Sequence, residues 1–398
     1  FPIVAAEAVG ARLVDVDGRA YVDFCLGDTG AMAGHAPAAT LAALERQAQR
    51  GLTTMLPSED AAWVGDELRR RFGLRYWQFT LSATDANRFA IRLCRQITGR
   101  AKILVFDHCY HGSVDETFAT LETAGKVVPS YGNIGPGPDV ALTTRVVQWN
   151  DVDALERAMA EGDVACVLAE PAMTNVGIVL PDEGYHAALR AVTRRHGALL
   201  IIDETHTLCA GPGGYTRAHS LEPDVLTIGK AIGGGVPCGA YGMTEDVAER
   251  VLARTLWDVA DIGGIGGTLA ANPLSAAAMR ATLGETLTDE AFNSMIALGE
   301  RFEAGVAEVI ARADLPWHAV RIGARVEYLF TRERPRDGGA ASAAMDHELD
   351  AWLHLYMLNR GILMTPFHMM ALMSPATTET DVDRHTAVFG EAVAELFA

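Results

Sequence analysis

The chain has 398 residues, of which 49% are hydrophobic and 21% charged, and its formal net charge at pH 7 is −18. This length exceeds one compact core and predicts two domains, while the composition excludes extensive disorder. The acidic balance, without a run of Lys and Arg that could neutralise phosphates, argues against a nucleic-acid partner, and no apolar run of ~18 residues predicts a membrane span.

The predicted elements begin with a β-hairpin. Residues 11–16 alternate between apolar and polar, Asp17-Gly18 forms the turn, and 21–24 form the second strand. Short apolar runs then alternate with amphipathic helical stretches, as in a mostly parallel sheet covered on both faces. The seven predicted strands span 77–81, 102–106, 145–149, 164–169, 198–202, 225–228 and 239–243.

The helical stretches and the change of pattern near residue 285 complete the predicted architecture. Helices are predicted over 85–98, 184–196, 290–313 and 347–359 and from 380 onward, with a strand at 326–330 and an exposed loop at 332–344. We therefore predict an α/β fold with a large domain on the seven-stranded sheet, 46–284. A small α+β domain is predicted to form from both chain ends, 1–45 and 285–398.

Two of the predicted strands end in residues of opposite charge. Strand 198–202 is followed by Asp203, and strand 225–228 by Gly229 and Lys230. Ligands in open α/β sheets bind at the carboxyl ends of the strands, so both side chains are expected at one site. A lysine amine forms imines, and a carboxylate can keep a pyridine nitrogen protonated. The pair therefore predicts pyridoxal 5′-phosphate (PLP) as cofactor and both residues as catalytic. Alone, an Asp at a strand end is as often structural as functional, and a lone Lys is far more often a surface residue than a catalyst.

A phosphate site is predicted where strand 77–81 passes into helix 85–98. Ser82 and Thr84 supply hydroxyl groups there, and the turn supplies amides at a helix start. A simple helix cap made by Ser82 and Asp85 explains the same residues, and the two interpretations are compatible.

The segment after strand 102–106 contains one aromatic and two histidines. Tyr110 could stack on a flat cofactor. His108, Cys109 and His111 lack the spacing of metal ligands, so no metal site is predicted. Six cysteines without a C-x-x-C pair, several in apolar runs, indicate reduced thiols and a cytoplasmic location.

Taken together, these motifs resemble those of the class III aminotransferases, which are PLP enzymes of fold type I. The nearest resemblance is to the branch of the glutamate-1-semialdehyde aminomutases. The segments that carry the resemblance are 14–18, 21–23, 34–35, 82–87, 109–112, 170–171, 203–205, 223–230 and 267–273.

The resemblance implies a role for each matching residue. Lys230 would hold PLP as a Schiff base and then move protons, and Asp203 would pair with the pyridinium nitrogen. Thr268 would reach the phosphate of the other subunit's cofactor, which implies a homodimer. The implied cofactor-binding residues are Ser82, Ala83, Thr84, Tyr110, His111, Glu170, Asp203, His206, Lys230 and Thr268.

Several residues depart from the family's pattern. Ala83 stands where glycine is usual, and Thr205 follows Asp203-Glu204 where valine is common. Segment 366–370 lacks the acid found near the C-terminal end of the aminomutase branch. We therefore predict an aminotransferase that moves an amino group from a primary amine or amino acid to a keto acid or aldehyde. The alternatives are an intramolecular aminomutase, a racemase, a PLP-binding protein without turnover and, more distantly, a dinucleotide-dependent oxidoreductase, whose glycine fingerprint the sequence lacks.

Two charged residues are predicted to contact the substrate. Asp28, in a glycine-rich turn, could attract a second amine, repel a carboxylate or simply cap the turn. Arg325 could clamp a carboxylate, pair with Glu327 or lie exposed.

Overall fold

The computed structural model describes residues 3–123, 125–135, 137–254 and 263–397. The strands are β1 (Ala5–Val9), β2 (Arg12–Asp15), β3 (Ala20–Asp23), β4 (Tyr76–Thr80), β5 (Lys102–Phe106), β6 (Ala119–Leu121), β7 (Val127–Pro129), β8 (Thr144–Val147), β9 (Val164–Ala169), β10 (Leu199–Asp203), β11 (Val225–Ile228), β12 (Gly239–Met243), β13 (His318–Ile322), β14 (Arg325–Leu329), β15 (Ile362–Leu363) and β16 (Met370–Leu372). The helices are α1 (Ala38–Ala48), α2 (Glu59–Phe72), α3 (Ala83–Thr98), α4 (Val152–Met159), α5 (Tyr185–His196), α6 (Gly214–Ala218), α7 (Glu245–Arg254), α8 (Pro273–Ala281), α9 (Asp289–Arg312), α10 (Gly338–Ala343), α11 (His347–Leu358) and α12 (Glu379–Leu396).

A mixed sheet of seven strands, in the order β4-β12-β11-β10-β9-β5-β8, forms the centre of the large domain. Strand β12 runs opposite to the other six strands, so the predicted α/β fold with a mostly parallel sheet is confirmed. All seven predicted strands are present, with ends within two residues of the prediction. Strand β9 is buried along its whole length, as its uninterrupted apolar sequence requires.

The predicted exposed loop at 332–344 is wrong in part. Helix α10 occupies the second half of this segment, and Asp337 caps it by accepting a hydrogen bond from the Ala340 amide at 2.8 Å. The two glycines at the start of α10 disfavour a helix by their intrinsic propensity, so the sequence pattern did not predict it. A side-chain cap and the burial of Ala341 stabilise this helix.

The two ends of the chain come together, as the hairpin and the C-terminal elements predicted. Strand β3 pairs in parallel with β15, and the ring of Phe24 packs edge-on against Phe302 of α9, with centroids 5.5 Å apart. The exact domain boundaries stay predictions. Within the described part of the chain, no helix combines the length and apolarity needed to cross a membrane.

The sheet register positions the two charged strand ends. Strands β10 and β11 are parallel neighbours, and Asp203 lies level with Thr227, so Lys230 follows three residues beyond that level. Gly229 directly precedes Lys230 and lies against the start of α3. A Cβ added to Gly229 would lie 2.9 Å from the Cβ and the amide nitrogen of Ala83. Only glycine allows this approach of strand end and helix start.

Gly229→Ala should therefore force β11 and α3 apart. We expect the free energy of unfolding to fall by about 1–3 kcal/mol, as for other overpacked sites. Urea unfolding followed by circular dichroism measures it. Gly137→Ala is the control, because nothing lies within 4 Å of its added Cβ. Equal stability of both variants would contradict this account of the contact.

Candidate active site

A cavity of roughly 450 Å³ lies at the carboxyl ends of β10 and β11, beside the start of α3. Eight of the predicted site residues line it: Ser82, Ala83, Thr84, Tyr110, His111, Asp203, His206 and Lys230. An adjoining cavity of about 400 Å³ shares three of these residues and adds Asp28 and Glu170. Thr268 and Arg325 line neither cavity.

The carboxylate of Asp203 is buried and receives three hydrogen bonds. The Asn87 amide and the His111 ring contact its Oδ2 at 2.8 and 2.9 Å, and the Thr205 amide donates to Oδ1 at 3.1 Å. Burial alone would raise the pKa of Asp203, but these contacts outweigh it and lower the pKa. The cavity therefore has a fixed negative charge in its wall.

His111 is paired with the carboxylate of Asp203. Burial would lower its pKa, but Cys109 and Asp203 raise it well above the usual value. Its Nδ1 is bonded to Asp203, while its buried Nε2 has no hydrogen-bond partner within the described structure. His111 thus serves to hold Asp203 ionised.

The N-terminus of α3 lines the same cavity. Ser82 caps the helix by accepting a hydrogen bond from the Asp85 amide at 3.2 Å, so the capping interpretation is confirmed. The amides of Ala83 and Thr84 precede the first intrahelical bonds and have no acceptor in their own helix. They line the cavity, which makes this helix end suited to an anion.

Gly112 brings the segment after β5 against this helix start. Its φ is +74°, and an added Cβ would overlap with the Thr84 hydroxyl, which also accepts a hydrogen bond from the Ser113 amide at 3.1 Å. Tyr110 stands just before this turn, 46% exposed, and lines both cavities. A half-exposed ring at the mouth is free to cover a flat ligand.

The amine of Lys230 lies between an acid and an imidazole. Its Nζ donates to Asp28 Oδ2 at 2.7 Å and lies 2.8 Å from His206 Nε2. Lys230 has a φ of +48°, a backbone conformation that costs a non-glycine residue energy and that the surrounding packing must maintain.

His206 connects Lys230 to a buried ion pair. Its Nδ1 lies 3.0 Å from Arg325 Nη1, and Arg325 is also bonded to Glu327 and to the Thr174 carbonyl. Burial, with the positive charges of Lys230 and Arg325, lowers the pKa of His206 well below its usual value, so the ring is neutral. Of the three interpretations of Arg325, the structure supports the ion pair with Glu327. The guanidinium is fully buried and lines neither cavity.

Glu170 is a second buried acid in the adjoining cavity. Its Oε2 accepts a hydrogen bond from Thr174, and its Oε1 has no hydrogen-bond partner within the described structure. Burial raises its pKa to about 7, so close to neutral pH it exchanges a proton readily.

Thr268 lies apart from these residues, exposed on the wall of a surface cavity of about 720 Å³ that Met55, Leu56 and Trp77 also line. The sequence interpretation assigned no role to Asn87, Thr29, Phe367 or His368. Asn87 stood in the matching segment 82–87, one turn into α3, and this spacing could have indicated it.

The residues present fit PLP. The free amides at the start of α3 suit its phosphate, and the ionised Asp203 suits a protonated ring nitrogen. The amine of Lys230 opens into the same cavity, and buried polar atoms of His111 and Thr205 still lack partners.

Comparison with known proteins gives the same assignment. A family model described as aminotransferase class-III matches residues 1–386. The glutamate-1-semialdehyde 2,1-aminomutase of Thermomicrobium roseum is 36% identical over 407 residues, covering 99% of this chain and 91% of the relative. That of Anaeromyxobacter sp. strain Fw109-5 is 34% identical over 404 residues, covering 98% and 91%.

Solved structures agree. A glutamate-1-semialdehyde aminomutase from Pseudomonas aeruginosa PAO1, in complex with PMP, is 52% identical with a TM-score of 0.96, covering 99% of this chain and 88% of that one. An omega-transaminase from Sphaerobacter thermophilus is 29% identical with a TM-score of 0.90, covering 100% and 92%. The chain therefore belongs to the class III aminotransferase family and is a PLP-dependent enzyme.

Proposed function

We propose that this enzyme is a transaminase, which takes the amino group of a primary amine and gives it to a keto acid or aldehyde. The proposal rests on one observation: Lys230 and the ionised Asp203 both line the same cavity. Bound PLP supplies an aldehyde carbon that takes up an amine and a ring that withdraws electrons from the neighbouring C–H bond.

Lys230 and Asp203 do the chemical work in this proposal. The Nζ of Lys230 removes and returns the proton at the reacting carbon, acting as base and then acid. Asp203, held ionised by Asn87 and His111, keeps a proton on the pyridine nitrogen.

The remaining predicted residues bind and orient the cofactor. Ser82, Ala83 and Thr84 hold the phosphate at the start of α3. Tyr110 stacks on the ring. Glu170 lies towards the side of the ring hydroxyl, as the family resemblance implies, and His206 contacts the amine of Lys230.

A homodimer and a cytoplasmic location are part of the proposal. Thr268 is exposed and does not line its own chain's active-site cavity, which suits contact with a partner subunit's cofactor phosphate. No partner beyond a second copy and small-molecule substrates is proposed.

An intramolecular aminomutase of the glutamate-1-semialdehyde type is the second candidate. The names of the relatives favour it more directly than they favour a transaminase. The ground for ranking the transaminase first is segment 366–370, which lacks the acid found near the C-terminal end of the aminomutase branch. Phe367 and His368 of this segment line the adjoining cavity.

The two candidates differ in their need for an acceptor. We expect the holoenzyme, mixed with a panel of primary amines, to lose the aldehyde absorbance of its cofactor once and to turn over only after a keto acid or aldehyde is added. Absorbance and product analysis by mass spectrometry measure this. Isomerisation of glutamate 1-semialdehyde without any acceptor would instead establish the aminomutase.

Asp203→Asn should leave the fold intact and reduce kcat by about 100-fold or more, the scale seen when a preorganised active-site charge is lost. Stopped-flow kinetics with a saturating amine measures it. Asp107→Asn is the control: this buried acid also follows a strand of the same sheet but contacts Thr120, Leu121, Gln148 and His108 and lines neither cavity of the site. Near-normal turnover in the Asp203 variant would contradict the assigned role.

A further inference from the structure

The turn that carries Asp28 has an unusual backbone. Leu26, Gly27, Asp28 and Thr29 all have positive φ, at 45°, 58°, 49° and 78°. Such a run is costly for non-glycine residues and persists only where neighbouring contacts impose it. The turn therefore holds Asp28 in one position.

Two side chains anchor this turn. Asp23, at the end of β3, accepts hydrogen bonds from the amides of Cys25 and Leu26 at 2.8 and 2.9 Å and from His35 at 2.7 Å. Thr29 is buried with its hydroxyl 3.1 Å from His206 Nδ1. Asp28 itself remains about one third exposed, so it faces the cavity.

Asp28 contacts the position of a cationic nitrogen. Its Oδ2 lies 2.7 Å from Lys230 Nζ, the atom whose place a substrate nitrogen takes. Once the cofactor engages the amine of Lys230, Asp28 loses its cation. An incoming ammonium group can then occupy the same contact.

The positive groups in the surrounding wall are committed elsewhere: His111 is bonded to Asp203, and the start of α3 suits the cofactor phosphate. Apart from Lys230, the described residues that line the two cavities include no lysine or arginine. Arg325 is buried behind the wall and paired with Glu327, and His206 is neutral. Glu170 adds a second carboxyl group, which is partly ionised near neutral pH because burial raises its pKa to about 7.

We propose that Asp28 selects the amine donor: it binds the arriving ammonium of a primary amine, accepts the proton that this nitrogen must lose before it reacts, and repels donors that carry a carboxylate beside the amino group. The donors are then simple primary amines rather than α-amino acids. This inference rests on the proposed transaminase function, because it names that reaction's donor class.

A binding experiment tests Asp28 without turnover. Lys230→Ala protein loaded with 4′-deoxypyridoxine 5′-phosphate, a cofactor analogue with neither an aldehyde nor an amine, cannot react with amines and leaves Asp28 without its lysine partner. Isothermal titration with 2-phenylethylamine and 3-phenylpropanoate compares ligands that differ in their charged end. We expect the amine to bind more tightly, and Asp28→Asn in this background to weaken it about tenfold, the scale of a charged hydrogen bond, without weakening the carboxylate.

Asn is the suitable replacement because it keeps the size of Asp and tolerates positive φ. Asp314→Asn is the matched control: Asp314 also has positive φ, 47°, but its side chain is 94% exposed at the surface. Retention of the bound cofactor analogue reports that each variant is folded. Unchanged amine affinity in the Asp28 variant, or no measurable amine binding at all, overturns the proposal.

A kinetic experiment distinguishes a failure of this inference from a failure of the proposed function. In the wild-type enzyme, kcat/KM should favour 2-phenylethylamine over phenylalanine, and Asp28→Asn should reduce that ratio about tenfold. An unchanged ratio refutes the role of Asp28 while leaving the transaminase intact. If no donor reacts in the wild type, the transaminase proposal fails, and the titration still decides whether Asp28 binds amines.

Discussion

The carboxylate of Asp203 is buried, and it stays ionised because hydrogen-bond donors from three separate elements reach it. Asn87 belongs to α3, His111 follows β5, and Thr205 follows β10. Helix α3 does two things at once: its first amides line one side of the cavity, and Asn87, one turn later, bonds Asp203 on another. The fold thereby sets the spacing between an anion-binding end and a fixed negative charge, and a ligand with a phosphate and a protonated ring matches both.

Much of this could be predicted from the sequence, because parallel strands place their carboxyl ends at one edge. The apolar runs before Asp203 and Lys230 were long enough to define both strands, so the side chains that follow them had to meet. The turn into α3 was recognisable for the same reason: a hydroxyl residue followed by a helical pattern is a local signal.

The contacts that surround Lys230 were beyond such reasoning. His206 and Arg325 are 119 positions apart and meet only because β14 packs beside the turn after β10. That Arg325 is paired with Glu327 depends on the burial of both, which no local pattern records. The strained turn at Asp28 is likewise invisible, since only one of its four residues is glycine.

The claim that Lys230 and Asp203 face one heterocycle is tested most directly by the ring nitrogen itself. PLP labelled with ¹⁵N in the ring can be loaded into the protein and fixed covalently by borohydride, and its ¹⁵N NMR shift measured. The account predicts attachment at Lys230, a protonated nitrogen in the wild type and an unprotonated one in Asp203→Asn. Attachment elsewhere, or the same shift in both proteins, would contradict it.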